Sequence, residues 1–311
     1  MYLFRIRTEN PFSIQDFVND AMSGAAPEKF DDESEMEYVF DNEKLVSKIM
    51  RSLKEGKITE NEFDKLFCGE ANTKQFQHNR NGLKRIIDNG IIPKEIPLKK
   101  SLLVSCLSKN NIVDDKDMWK RYTYNNPNKG FMLIYDLTDI DNACKIQNAT
   151  FGIIDYDSKK NLDMTDYWYD WLIAYCKHSQ FMLNVATNPS IHKNEQWMFI
   201  NNSNINSIIS QNGKTYYSKA DLAFTKEKKW KWQKEYRVVV ENPNYDDKKG
   251  DYITTLGMYG TTIKVKPVAI YIRNGVTAVG KQQLTNYAML NGIKVYTETD
   301  ADIYTIKTTY K

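Results

Sequence analysis

The stretch KEKKWKWQKEYRVVVE, at residues 226–241, places an amide, a carboxylate and a guanidinium at alternate positions. If it is extended, Gln233, Glu235 and Arg237 share one strand face, spaced about 7 Å apart, and the two tryptophans lie on the opposite, packing face. Such a row is either a solvated strand face with cross-strand charge pairs or a set of catalytic groups. The period alone favours the solvated face.

A second group of candidate residues lies in the middle of the chain. Ser105 and Ser108 belong to SLLVSCLS, a stretch at 101–108 that predicts a buried strand. Trp119 and Tyr122 follow at a spacing that makes them neighbours on a helical turn. Aromatic pairs at this spacing belong to a core more often than to a ligand platform, and both interpretations stay open.

Two arginines occupy one face of the first predicted strand, at Arg5 and Arg7. Arginine forks suit the bidentate recognition of phosphate or carboxylate groups. An equally good interpretation is salt bridging with the acidic segment at 28–37.

Several common catalytic sites find no support in the sequence. The chain has no GxSxG, GxxxxGK[ST] or GxGxxG motif. Its four cysteines form no CxxC pair and its three histidines are scattered, so we expect no metal site. A metal-dependent nuclease that uses Glu235 with Asp136 or Asp155 ranks last, because the motif E-Y-R lacks the usual E-x-K lysine.

The run KEKKWKW supports a different class of function. Lysine and tryptophan in alternation can contact phosphates and stack on bases, as in proteins that bind single-stranded nucleic acids. The run is short, however, and the strand interpretation assigns both tryptophans to the core. A net charge of +3 neither requires nor excludes a nucleic-acid partner.

The elements that must position these residues follow from hydrophobic periodicity. Predicted strands lie at both ends of the 311-residue chain, with helices concentrated at about 40–90 and 160–211. The pattern predicts a single α+β domain over residues 1–311, with one antiparallel or mixed core sheet and helical insertions. The N-terminus does not resemble a signal peptide and no apolar run could span a bilayer, so we expect a cytoplasmic protein without a membrane partner.

The individual elements are predicted as follows. Helices are expected at 13–22, 42–54, 59–67, 75–88, 163–185, 194–211 and 278–290. Strands are expected at 2–7, 101–108, 131–137, 147–156, 235–241, 261–266, 268–273 and 293–296.

These motifs together resemble a widespread bacterial and phage domain family of unassigned function (domain of unknown function 2971). The resemblance rests on YLFRIR, SLLVSCLS, MWKRYT, NKGFMLIYDL and KKWKWQKEYRVV, and it covers roughly residues 2–300. The chain departs from the family pattern at FVNDAMS, which lacks the proline of F-N-D-P. It also has Gln233 where the family more often has glutamate.

A weaker resemblance gives these residues a chemistry. An early strand arginine, serines on a middle strand and a strand that begins Q-x-E are similar to the layout of ADP-ribosyltransferases. The resemblance implies an NAD-dependent transferase or NAD-cleaving enzyme that acts in bacteria–phage conflict, with NAD as its substrate and an unidentified protein or nucleic acid as acceptor.

The same resemblance implies a role for each candidate residue. Catalytic roles fall to Glu235, Gln233 and Arg237, and cofactor binding falls to Arg5, Ser105, Ser108, Trp119 and Tyr122. Glu235 would stabilise positive charge on the ribose, Arg5 would bind pyrophosphate, and an aromatic residue would stack on nicotinamide or adenine. The alternative is a non-catalytic nucleic-acid or nucleotide-binding module of a defence system.

Overall fold

The computed structural model describes residues 1–30, 38–67, 79–88, 98–156, 162–177, 223–246 and 251–310. The described strands are β1 (Tyr2–Thr8), β2 (Ala21–Ala25), β3 (Tyr38–Val39), β4 (Leu102–Ser108), β5 (Gly130–Asp136), β6 (Thr150–Ile153), β7 (Leu162–Asp163), β8 (Glu235–Glu241), β9 (Tyr245–Asp246), β10 (Asp251–Tyr252), β11 (Tyr259–Lys264), β12 (Ala269–Ile272) and β13 (Lys294–Thr297).

The described α-helices are α1 (Pro11–Val18), α2 (Asn42–Lys54), α3 (Glu60–Asp64), α4 (Arg80–Ile86), α5 (Leu98–Ser101), α6 (Lys116–Tyr122), α7 (Leu137–Ile146), α8 (Thr165–Lys177), α9 (Ala278–Leu290) and α10 (Asp300–Thr309). Short 3-10 helices lie at Pro27–Lys29, Lys65–Phe67 and Lys228–Gln233. No described helix is both long enough and apolar enough to cross a membrane.

A mixed sheet forms the centre of the fold, as the predicted α+β class requires. Its strand order is β11-β2-β4-β1-β5-β12-β13, and β8 pairs with β4 and β6. The pairs are antiparallel except for β12 with β13, which are parallel because α9 crosses between them. Whether the chain is one domain stays a prediction.

The strand β4 pairs along its whole length with the strand on one side, but only at single positions with the strands on the other side. All seven residues of β4 pair with β8, from Leu102–Glu241 to Ser108–Glu235. In contrast, β4 meets β1 only at Phe4–Ser108 and meets β2 only at Ala25–Val104. Adjacent strands therefore diverge beside β4, and the side chains of β1, β2 and β4 border the space between them.

Apolar side chains cover both faces of the central strand β5. Phe131, Leu133 and Tyr135 belong to one core cluster, whereas Met132 and Ile134 belong to another. A strand buried on both faces gives a continuous apolar run in the sequence, as FMLIY does.

The helices α2, α3, α4 and α8 contribute a separate apolar cluster around Trp168. The predicted capping box at Thr59 is confirmed: the Glu62 amide donates to Thr59 Oγ1 over 3.2 Å, and the Thr59 amide donates to Glu62 Oε2 over 2.7 Å. The helix predicted at 42–54 is confirmed in full. Those predicted at 75–88 and 163–185 are confirmed at Arg80–Ile86 and Thr165–Lys177, whereas Asp163 belongs to β7. The predicted helix at 194–211 lies outside the described residues.

Two sequence predictions of secondary structure are wrong near the candidate residues. The helix expected at 13–22 ends at Val18, and Asp20 takes a left-handed φ of 53° that turns the chain into β2. The interpretation of the polar row assumed that residues 230–234 are extended, which is wrong, whereas the strand predicted at 235–241 is confirmed as β8. Before it, KKWKWQ forms a 3-10 helix, and Lys234 at φ 42° joins the helix to the strand. The helices α7 and α10 were not predicted.

Candidate functional site

A cavity of about 680 Å³ opens where the strands diverge beside β4. Residues of β1, β2, β4, β8, β11, α1, α6 and the 3-10 helix at Lys228–Gln233 line it. Five of the eight predicted site residues are among them: Arg5, Ser108, Tyr122, Gln233 and Glu235. Its volume lies within the range of about 300–1,000 Å³ that is usual for small-molecule sites.

The arginine side of the cavity is built on β1. Arg5 donates from Nη2 to the Ser23 carbonyl, and Arg7 donates to Asp16 Oδ2 over 2.9 Å. Burial, and next the charge of Arg5, lower the pKa of Arg7 to about 10. Arg7 is thus tied to Asp16 on α1, and Arg5 makes no ion pair with any described residue. Most of the acidic segment at 28–37, the alternative partner of these arginines, lies outside the described residues.

Ser105 supports this side without lining the cavity. Its Oγ donates to the Ser23 carbonyl over 2.8 Å and lies 2.9 Å from Thr262 Oγ1, and the residue is 1% exposed. Ser105 and Arg5 therefore hold the same carbonyl. The cofactor-binding role predicted for Ser105 is corrected to a positioning role, because surrounding strands shield its hydroxyl.

Glu235, the first residue of β8, also lines the cavity and lies at the centre of a buried ion triad. Arg237 Nε donates to Glu235 Oε1 over 2.6 Å, and Lys226 Nζ donates to Oε2 over 3.0 Å. Arg237 Nη1 also donates to the Ala223 carbonyl over 2.7 Å. Glu235 and Arg237 thus share one face of β8 as predicted, but that face is buried rather than solvated. Gln233, the third residue of the predicted row, lies in the preceding 3-10 helix and not on the strand.

The triad fixes the charge of Glu235. Burial by itself would raise the pKa of this carboxyl group, but the charges of Arg237 and Lys226 outweigh it and lower the pKa to about 2. Arg237 is fully buried and does not line the cavity. Its predicted catalytic role is therefore corrected to that of a buried partner which keeps Glu235 ionised.

Ser108 holds the segment that precedes β8. Its Oγ donates to the Gln233 carbonyl over 3.1 Å and accepts from the Asn110 amide over 3.1 Å. The carbonyl of Lys234 accepts from the Lys109 amide over 2.9 Å. These bonds fix the left-handed turn through which the 3-10 helix enters the strand.

Gln233 and Trp230 leave hydrogen-bonding capacity unused at this wall of the cavity. Gln233 is 4% exposed, and its Oε1 has no hydrogen-bond partner among the described residues. Trp230 Nε1 is likewise buried and has no partner in the described part of the chain. Buried polar atoms without partners are rare in folded proteins, and both of these residues line the cavity.

The two aromatic residues predicted to stack on a ligand lie in different environments. Trp119 is fully buried, donates from Nε1 to the carbonyls of Ile112 and Val113 over 3.1 and 3.0 Å, and does not line the cavity. Its ring meets Tyr271 edge to face at 5.9 Å between centroids, so the stacking role is corrected to a core role.

Tyr122 lines the cavity as predicted. Tyr122 is 36% exposed. Desolvation of its phenol within the cavity wall raises its pKa above the usual value, and the neighbouring Cys106 and Glu235 act in the same direction. Tyr122 therefore stays neutral and can donate a hydrogen bond at physiological pH.

The basic and aromatic run is not extended, contrary to the conformation assumed for its two tryptophans. Trp230 lines the cavity beneath cations, with Arg121 at 4.4 Å and Lys226 at 5.4 Å from its ring centroid. Trp232 is 44% exposed. The assignment of both tryptophans to a strand's packing face was therefore wrong.

Sequence reasoning missed Lys226 as the partner of Glu235. The run KEKK marks a basic segment but does not say which lysine turns inward. Lys226 reaches Glu235 because the segment pairs with Asp155 before the 3-10 helix folds it back. Arg121 and Asp16 were missed for the same reason, since their places at the cavity depend on contacts between distant segments.

The geometry does not support a metal-dependent nuclease. Asp136 Oδ1 accepts from the Thr138 amide over 2.7 Å as the cap of α7, and neither Asp136 nor Asp155 lines the cavity. Both oxygens of Glu235 already accept from cations. The described residues contain no group of three or more His, Cys, Asp or Glu side chains that could hold a metal ion.

Comparison with known proteins identifies no relative of this chain. No protein-family model, curated protein or solved structure matches the chain.

Proposed function

We propose that the protein binds a phosphate-bearing nucleotide of the NAD class in the cavity beside β4, and that it cleaves NAD or transfers its ADP-ribosyl group. The observation that carries the proposal is the convergence of Arg5, Tyr122, Gln233 and Glu235 on one cavity of ligand size. These residues come from segments up to 230 positions apart (5 to 235) in the sequence.

The charge of the lining suits an anionic ligand. Five cationic residues face two carboxylates there: Arg5, Arg7, Lys29, Arg121 and Lys226 against Asp16 and Glu235. One of the N–H donors of Arg5 bonds to the Ser23 carbonyl, and an arginine side chain has five such donors. Arg5 can therefore hold a phosphate in the fork geometry that guanidinium groups favour.

The chemistry would centre on Glu235. Cleavage of the bond between ribose C1′ and the nicotinamide nitrogen leaves the electron pair on nicotinamide and positive charge on the ribose. An ionised carboxylate at a fixed position stabilises that charge. Water or an acceptor nucleophile then bonds to C1′ and loses a proton, which completes hydrolysis or transfer. Gln233 would orient that nucleophile.

One observation favours the alternative of a nucleotide-binding module without catalysis. Lys226 and Arg237 each already donate to one oxygen of Glu235. A carboxylate paired in this way stabilises a ribosyl cation less than an unpaired carboxylate would. Both candidate functions share the same nucleotide site, and they differ in whether the glycosidic bond breaks.

The deciding experiment combines calorimetric titration with an assay of NAD consumption. The purified chain is titrated with NAD, ADP-ribose and AMP, and nicotinamide release is followed by chromatography. Release that Glu235→Gln abolishes, in a variant shown to be folded, supports the enzyme. Binding without release supports the module. If no nucleotide binds and none is consumed, the proposed function is wrong.

A further inference from the structure

The 3-10 helix that precedes β8 presents two residues to the cavity from one side. A 3-10 helix has 3.0 residues per turn, so residues i and i+3 are eclipsed. Trp230 and Gln233 have this spacing within Lys228–Gln233, and both line the cavity. Trp232, on the same helix, does not line it.

The polar side-chain atoms without partners in these two residues have opposite hydrogen-bonding roles. Trp230 Nε1 is a donor only, whereas Gln233 Oε1 is an acceptor, and neither has a partner among the described residues. The last torsion of a glutamine side chain is broad, so its amide can turn toward a ligand at low cost. A planar group with an amino donor beside an acceptor would satisfy both atoms.

We propose that Trp230 and Gln233 form the recognition element for such a donor–acceptor edge, the pattern of a primary carboxamide or of an amino-substituted purine. The proposal rests on the function proposed above, because it names the group of the nucleotide that this wall reads. The hydrogen bond from Ser108 to the Gln233 carbonyl fixes the position of this recognition element. Arg121, at 4.4 Å from the Trp230 ring centroid, fixes the indole.

The NAD molecule carries this pattern at both ends, and two analogues remove one end each. Nicotinic acid adenine dinucleotide replaces the carboxamide with a carboxylate. Nicotinamide hypoxanthine dinucleotide reverses the donor and acceptor of the purine edge. We expect the wild-type chain to bind NAD about tenfold more tightly than one of these analogues, the loss that a hydrogen bond of ordinary strength produces.

Two variants and a matched control locate the effect. Gln233→Met keeps the length of the side chain and removes its acceptor, and Trp230→Phe removes the indole donor. Each is expected to reduce the preference for NAD over that analogue by about fivefold or more. Trp232→Phe makes the same aromatic exchange on the same 3-10 helix and should leave the preference unchanged. Circular dichroism verifies that each variant is folded.

Free nicotinamide and adenosine, which carry no phosphate, separate the two proposals. If the dinucleotides do not bind but one of these compounds binds and Gln233→Met abolishes that binding, the recognition element stands and the proposed nucleotide function fails. If all three dinucleotides bind equally well, or if Gln233→Met keeps the preference, the recognition element is overturned while the nucleotide site stands. If nothing binds, both proposals are wrong.

Discussion

Arg237 and Glu235 lie two residues apart on one face of β8, and Arg237 Nε donates to Glu235 Oε1 over 2.6 Å. Their side chains are 0% and 4% exposed, so the pair is removed from water. Lys226 completes the arrangement as the cation that also lines the cavity. One carboxylate thus links the stability of β8 to the charge of the candidate site.

Removing the carboxylate charge should destabilise the protein strongly. Glu235→Gln leaves two buried cations without their counter-ion, and breaking a buried pair in this way typically costs about 3–5 kcal/mol. Glu241→Gln, at the exposed end of the same strand, should change the free energy of unfolding by less than about 0.5 kcal/mol. Urea unfolding measures both, and equal effects would contradict a structural role for the triad.

Acid should weaken the same arrangement within a defined pH window. The folded-state pKa of Glu235 is about 2, below the ordinary value of 4.5. Its contribution is therefore present above pH 4.5 and is lost as the pH falls from 4.5 toward 2. This difference in pKa corresponds to about 3 kcal/mol of the free energy of unfolding. Urea unfolding between pH 6 and pH 2.5 should show a steeper loss for wild type than for Glu235→Gln, and parallel curves would refute the assignment.

Arg5 should contribute to ligand binding more than to stability. Arg5→Met removes charge-assisted hydrogen bonds to a phosphate, so we expect ADP-ribose or NAD to bind about 10- to 100-fold more weakly. Arg51→Met changes an exposed arginine on α2 and serves as the control. Calorimetric titration at two salt concentrations measures the effect, and unchanged affinity in Arg5→Met would place the phosphate elsewhere.

Substitutions of the two aromatic residues of α6 should differ in how much they lower the free energy of unfolding. Trp119→Ala removes a fully buried ring and should reduce the free energy of unfolding by about 3–5 kcal/mol. Tyr122→Phe removes only a hydroxyl and should change that free energy by less than about 1 kcal/mol. Chemical denaturation of both variants tests the assignment of Trp119 to the core. A small effect of Trp119→Ala would count against it.

Gln233 should be replaceable without loss of stability. Its buried Oε1 has no described partner, and a buried polar atom without a hydrogen bond costs about 1–3 kcal/mol. Gln233→Met should therefore leave the thermal midpoint unchanged or raise it. Ser108→Ala, which removes the bonds to the Gln233 carbonyl and the Asn110 amide, should lower it. A clear drop for Gln233→Met would mean that its amide is part of the packing.

The local part of the fold could be predicted because it depends on neighbours in sequence. Alternation in EYRVVVE predicted the strand faces of β8: Tyr236 and Val238 pack into one cluster and Val239 into another. The capping box at Thr59 and the shared face of Arg5 and Arg7 follow from the same short-range geometry. The start of β8 at 235 was predicted, but the extended conformation assumed for 230–234 was wrong because a 3-10 helix and a left-handed lysine leave no apolar period.

The sequence by itself determined the α+β class, most of the strands and the presence of Glu235 and Arg237 on one strand face. The tertiary structure decided that this face is buried, that Lys226 completes the triad, and that Tyr122 rather than Trp119 lines the cavity. The physical reason is that periodicity specifies which residues of an element share a face. What covers that face depends on packing between segments that are far apart in the chain.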